Sequence, residues 1–221
     1  RPMKRLVVAT HNVKKAGEMV AILSRRFPGL PILTLADFPD APEPEETGDS
    51  YWANASIKSE SAAAFAGEWS LADDAGLEID AMGGEPGVHS KRFAGEDTPF
   101  PEKMALILER LRGVPEPKRT ARFRCCVALT CPEGTRLPEP PDRAPVVYRR
   151  PRTIVFQATC EGGIAHAPSG NGGFGYDPIF FLPELGCTMA DLAADQKHEV
   201  SHRGKVLRAV GDYLEMIGAG R

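Results

Sequence analysis

Short apolar runs alternate with longer stretches of helical spacing along this chain, and their order predicts an α/β protein. Leu6-Val7-Val8-Ala9 is continuously apolar, the pattern of a strand buried on both faces, and Thr10-His11-Asn12 after it suits a helix cap. A helix then spans 13–27, with Met19, Ile22, Leu23 and Phe27 at helical spacing. A second strand falls at 32–35, an acidic, proline-broken loop at 40–46 and a helix of small residues at 52–66. Trp69-Ser70-Leu71-Ala72 reads as a strand that empties into Asp73-Asp74-Ala75-Gly76, and residues 77–82 alternate as a half-exposed strand before a turn cluster at 83–87. A helix over 98–112 and two longer strands at 121–130 and 153–160 follow. Between those strands, 131–151 is rich in proline and arginine and is expected to be a mobile surface excursion. The chain closes with a strand at 180–182, a brief helix opening at 188–191 and a final helix capped by Ser201, with Leu207, Val210, Leu214 and Ile217 as its apolar stripe.

The 221 residues fit a single domain. With 26% charged and 42% hydrophobic residues, the composition is that of a globular protein, and a net charge of −3 gives no general attraction to nucleic acid or anionic lipid. Five cysteines without C-x-x-C spacing argue against a disulfide framework or a zinc site. No run approaches the roughly 20 apolar residues that span a bilayer, and no apolar signal region precedes the first strand. A cytoplasmic location, with no membrane or nucleic-acid partner, is the expectation.

The candidate chemistry is concentrated in a few places. Gly170-Asn171-Gly172-Gly173-Phe174-Gly175-Tyr176-Asp177-Pro178-Ile179 holds four glycines, two rings and a carboxylate. That equipment suits stacking a planar ligand and bonding one of its edges, although a wide turn with its rings in the core uses the same residues. Lys14 and Lys15 open the first helix, and His202, Arg203 and Lys205 open the last. Cations oppose the dipole there, which makes sense where an anion binds. Asp73-Asp74 either closes a turn on its own backbone or presents oxygens to a hard divalent cation. With Glu46, Lys58 and Lys197, the set describes a site for a polyphosphate carrying a flat base, and no G-x-x-x-x-G-K-[ST] loop is present.

Five segments in order resemble the inosine triphosphate pyrophosphatase, or Ham1-like, family: 9–18, Glu46-Thr47-Gly48, Ala72-Asp73-Asp74-Ala75-Gly76-Leu77, 172–180 and Ser201-His202-Arg203-Gly204. The resemblance runs from residue 6 to about 214, with 131–151 as extra material within one domain of two lobes. It implies an elongated fold around a long mixed sheet with flanking helices, the nucleotide in a cleft between the lobes, and a homodimer. It also implies Mg²⁺-dependent hydrolysis of ITP, dITP and XTP to the monophosphate and pyrophosphate. By the same resemblance Thr10, His11, Asn12, Val13, Lys14 and Lys15 bind the triphosphate, and Glu46 and Asp74 hold magnesium. Asp74 also activates water, with Asp73 and Lys15 beside it, while Lys58, Lys197 and Ala75 line the site. Phe174, Gly175, Tyr176 and Asp177 hold the base, and His202 and Arg203 donate to its 6-oxo edge. Ala53 and Ala75 stand where the family commonly has Glu and Ser. Two other functions remain open: a Maf-like pyrophosphatase acting on other nucleotides, and a nucleotide-binding module that does not hydrolyse.

Overall fold

The computed structural model describes residues 2–220. Among them lie eight strands and five α-helices: β1 (Leu6–Val8), α1 (Val13–Arg26), β2 (Ile32–Thr34), α2 (Tyr51–Ala66), β3 (Trp69–Ile79), α3 (Phe100–Arg110), β4 (Thr120–Thr130), β5 (Val146–Arg149), β6 (Thr153–Ile164), β7 (Phe180–Leu182), β8 (Cys187–Thr188), α4 (Ala194–Val200) and α5 (His202–Met216). The strand order is β2-β1-β3-β4-β6-β7-β8, with β5 paired to β6. β1 runs parallel to β2 and β3, while the β5–β6, β6–β7 and β7–β8 pairs are antiparallel, so the sheet is mixed. No helix of the described residues is long and apolar enough to cross a membrane, and all five cysteines are free thiols.

The chain divides into two units. The first comprises the chain up to Asp74, Cys125–Ala158 and the chain from Arg203 onward. Its β1 is wholly buried, as the unbroken apolar run requires. α1 starts at Asn12, whose side chain accepts the Lys15 N–H, and ends with Arg25 and Arg26, cations that suit a helix C-terminus. α2 is capped by Ser50 and buries Asn54, Ala55, Ser56, Ser59, Ala62 and Ala63, small side chains that allow close approach. The second unit comprises Ala75–Arg124 and Thr159–His202. Its core gathers Leu77, Ile79, Met104, Ile107, Phe123, Tyr176, Ile179 and Phe180.

Four local expectations change. Asp73-Asp74-Ala75-Gly76 is not a turn, because β3 continues through it to Ile79. Both carboxylates are buried and are compensated by side chains distant in sequence, so they need no turn to satisfy them. Asp80–Met82, expected to prolong the strand, forms a 3-10 turn instead. The 131–151 segment is not a solvent excursion throughout. It contributes β5, buries Cys131, Thr135 and Leu137, and its Pro138 carbonyl accepts a 2.7 Å bond from the Tyr213 hydroxyl. Finally, α4 has no counterpart in the apolar pattern, and Ser201 is the C-terminal cap residue of α4 as well as the residue before α5.

Candidate functional site

The first unit assembles the charged set. At the start of α1, Thr10 Oγ1 accepts from the Asn12 N–H at 3.1 Å and Asn12 Oδ1 from the Lys15 N–H at 3.0 Å. This cap leaves His11, Val13 and Lys14 exposed at the helix N-terminus, where an anion is favoured. The Lys15 ammonium turns back onto β3, 3.4 Å from Asp73 Oδ2. Lys58, on α2, lies 3.3 Å from Glu46 Oε2.

Asp73 and Asp74 are neighbours on a strand and therefore face opposite sides. Asp73 is wholly buried, and Arg203 reaches the same Oδ2 through Nη2 at 3.0 Å and Nε at 3.3 Å. Burial alone would raise the Asp73 carboxyl, but Lys15, Arg203 and Lys58 together hold it well below the usual carboxylate range. Asp74 goes the other way. Burial pushes it up to about 6, opposed by Lys58 and Lys15 and reinforced by the carboxylates of Glu46 and Asp73. Lys58 is half-buried, and Asp73, Asp74 and Glu46 outweigh its desolvation and raise its pKa.

A carboxylate whose proton affinity is raised by burial and by neighbouring carboxylates, as Asp74's is, marks a place a hard cation would relieve, and Asp74 with Glu46 supplies the oxygen donors such a cation prefers. Among the described residues no group of three or more His, Cys, Asp or Glu could hold a metal ion by itself. Two carboxylates fit magnesium, which commonly completes its shell with water and substrate phosphate oxygens.

Two further residues of this set are absent from the sequence-based candidates. Asn54, on α2, donates from Nδ2 to Asp74 Oδ2 at 3.3 Å and accepts the Gly48 N–H on Oδ1 at 2.8 Å. Glu18, on α1, stands 3.6 Å from Arg203 Nη1. A polar residue on the small-residue face of α2 was the available signal for Asn54. Glu18 lies within the 9–18 segment of the resemblance, but its pairing with Arg203 does not show in the sequence, since acidic residues on a helix usually face solvent.

Arg203 is the second residue expected at the base edge. It is 2% exposed, with its guanidinium directed at Asp73 and Glu18, rather than an exposed donor awaiting a base.

The second unit builds the loop that carries the rings. Asp177 Oδ2 accepts both the Lys197 ammonium at 2.7 Å and the Phe174 N–H at 3.0 Å. The Lys197 ammonium also lies 4.5 Å over the Phe174 ring. Gly173 takes φ 63°, and a Cβ there would stand 2.1 Å from Asp177 Oδ2, so only glycine allows the carboxylate to close this turn. Tyr176 is buried, its hydroxyl donating to the Ser90 carbonyl at 2.6 Å and its ring meeting Phe100 edge-on. Tyr176 therefore anchors the loop in the core, and burial raises its phenol well above the usual range. Phe174 is the half-buried ring of the pair, beside Gly175. His202 is buried at the start of α5 and stacks on Phe123 with centroids 4.7 Å apart. Ala75 is half-buried on β3.

The family model for the Ham1 family matches residues 6–213. This chain belongs to the Ham1 family. Its Ham1 relatives include the dITP/XTP pyrophosphatase of Geobacillus kaustophilus, 45% identical over 219 residues that cover 99% of this chain and 98% of that protein. The dITP/XTP pyrophosphatase of Geobacter sulfurreducens is 44% identical over 218 residues, covering 98% of this chain and 99% of that protein. Among solved structures, a HAM1 protein from Coxiella burnetii superposes with a TM-score of 0.81 at 34% identity, over 97% of this Ham1 chain and 100% of that one. The Staphylococcus aureus Ham1 protein gives 0.77 at 35% identity, over 96% and 99%.

Proposed function

We propose that this Ham1 chain is a magnesium-dependent pyrophosphohydrolase that converts the 6-oxo purine nucleotides ITP, dITP and XTP to the monophosphate and pyrophosphate. The observation that carries it is the buried pair Asp73-Asp74 flanked by Lys15, Lys58 and Glu46. The names of the relatives, dITP/XTP pyrophosphatase, support the substrate class.

In this reading the exposed N-terminal turn of α1 takes the triphosphate, with Lys14 and Lys15 neutralising its charge. Asp74 orients a water and accepts its proton as the oxygen attacks the α-phosphorus. The bond to the bridging oxygen breaks and pyrophosphate leaves, its growing charge met by Lys15 and Lys58. Magnesium, held by Asp74 and Glu46, supplies further neutralisation of that charge. Phe174 stacks on the base, and His202 donates to the 6-oxo group. Arg203 keeps Asp73 ionised and fixed in place of a base contact. A homodimer belongs to the same reading and rests on the resemblance, and a cytoplasmic location belongs to it as the expectation drawn from the composition.

The test is incubation of the purified chain with ITP, dITP, XTP and dATP in MgCl₂, with separate assays for pyrophosphate and orthophosphate. Pyrophosphate from the three 6-oxo nucleotides, with dATP slow, is the expected outcome. Orthophosphate alone or absence of turnover overturns it, and preference for a pyrimidine nucleotide favours the Maf-like alternative.

A further inference from the structure

One side chain joins the two segments that carry the proposed metal carboxylates. Asn54 is 1% exposed, in the first turn of α2. Its orientation follows from its partners. The Gly48 N–H can only donate, so the atom facing it at 2.8 Å is Oδ1, and the amide nitrogen then faces Asp74 Oδ2 at 3.3 Å. Gly48 closes the segment Glu46-Thr47-Gly48, and its own lack of a side chain is part of the join. A Cβ on Gly48 would stand 2.6 Å from Asn54 Oδ1 and 2.8 Å from Ala53 Cβ. The loop therefore seats directly on the amide, and α2 sets the distance from that loop to β3.

We infer that Asn54 is the positioning residue of the cation site: it holds the Glu46 loop and the Asp74 carboxylate in one arrangement and aims Asp74 Oδ2. It touches neither water nor phosphate in this role and acts through the two carboxylates. The inference rests on the proposed function, since it assigns Glu46 and Asp74 to magnesium. Ala53 sharpens the point, because the residue beside Asn54 brings no carboxylate of its own.

The experiment follows the thermal midpoint of the substrate-free protein against MgCl₂ for wild type, Asn54→Ala and Gly48→Ala, which gives magnesium affinity without turnover. Alanine suits a helix, so Asn54→Ala leaves α2 itself unharmed. Loss of an outer partner of this kind typically weakens metal affinity by about 10–100-fold, and that loss is expected in both variants. Raised MgCl₂ should then restore much of kcat in Asn54→Ala. Wild-type magnesium affinity in a folded Asn54→Ala overturns the inference. If that variant does not fold, Gly48→Ala decides alone, and unchanged affinity there overturns it equally. A wild type that shows neither a magnesium-dependent midpoint nor dITP hydrolysis sinks the functional reading instead.

Discussion

Arg203 Nη2 lies 3.0 Å from Asp73 Oδ2, joining the start of α5 to β3 across a separation of 130 residues. Neither group reaches solvent, at 2% and 0% exposure. The pair explains why two adjacent aspartates can sit inside a strand: Asp73 is balanced in place, which leaves Asp74 as the carboxylate with proton affinity to spare.

Removing one partner of a buried ion pair strands the other, at a cost of about 3–5 kcal/mol. Arg203→Ala is therefore expected to lower thermal stability sharply and to depress kcat/KM for dITP and dATP by the same factor. Arg203→Lys should recover only part of the loss, since an ammonium cannot reproduce the two-nitrogen approach to Oδ2. Steady-state kinetics on both nucleotides decide it. A loss confined to dITP would return Arg203 to the base edge.

Asp74 carries a cost that its proposed chemistry requires. Its carboxyl stands at about 6 in the folded protein against an ordinary 3.8, so the folded state holds the proton more tightly than the unfolded chain. The group's favourable contribution is full below pH 3.8 and is lost as pH rises through about 6. Above that, the ionised carboxylate costs the fold up to about 3 kcal/mol, because each tenfold gain in proton affinity on folding is worth about 1.4 kcal/mol. Without magnesium, Asp74→Asn should melt higher than wild type at pH 7.5, and the difference should close by pH 4. Hydrolysis should fall on the order of 10²–10⁴-fold in the same variant. Melting curves across pH with no gain above pH 6 would contradict the assignment.

Proton and magnesium compete for that carboxylate. The rise in thermal midpoint given by a fixed MgCl₂ concentration is expected to be larger at pH 8 than at pH 5 in wild type. In Asp74→Asn it should be small at both. Equal rises at the two pH values would place magnesium elsewhere.

How much of the molecule is legible in its sequence depends on range along the chain. The β1–cap–α1 unit is legible because its causes are local: an apolar run, an Asn whose side chain reaches three residues ahead, and Met19 and Leu23 at helical spacing. Asp73-Asp74 misleads because its partners, Lys15 and Arg203, lie far away in sequence and only the folded sheet supplies them. α4 is invisible for a different reason. Its one buried residue is Lys197, held by an ion pair to Asp177, so no apolar stripe announces the helix. Residue types thus point to phosphate, cation and base, while the pairings that decide which group is spoken for do not show.

The 131–151 segment divides along the same line. Residues 139–143 lie largely exposed, and Glu139 pairs with the partly exposed Arg149, a pair worth little. Deleting 139–144 should leave activity near wild type. Leu137→Asp, which buries a charge at a site 5% exposed, should lower the thermal midpoint markedly. Activity lost on deletion from a protein that still melts normally would assign the segment a part in the site.

The last prediction concerns the base. Asp177 Oδ2 serves both Lys197 and the Phe174 N–H, and the Lys197 ammonium covers one face of the Phe174 ring at 4.5 Å. A base can then stack only on the other face, and the ring's orientation depends on the carboxylate and cation behind it. Stacking is indifferent to whether a purine carries a 6-oxo or a 6-amino group, because both offer a π-face. Phe174→Ala should therefore raise KM for dITP and dATP together, by the equivalent of about 1–3 kcal/mol, and leave their ratio unchanged. Lys197→Met keeps the length and apolar stem but removes the cation from the buried Asp177, so it should raise both KM values in the same proportion with little change in kcat. Measuring the two nucleotides on the two variants separates support from recognition: if Lys197→Met penalises dITP alone, the ammonium contacts the 6-oxo group itself, and the description of Lys197 as the backing of the Phe174 ring is wrong.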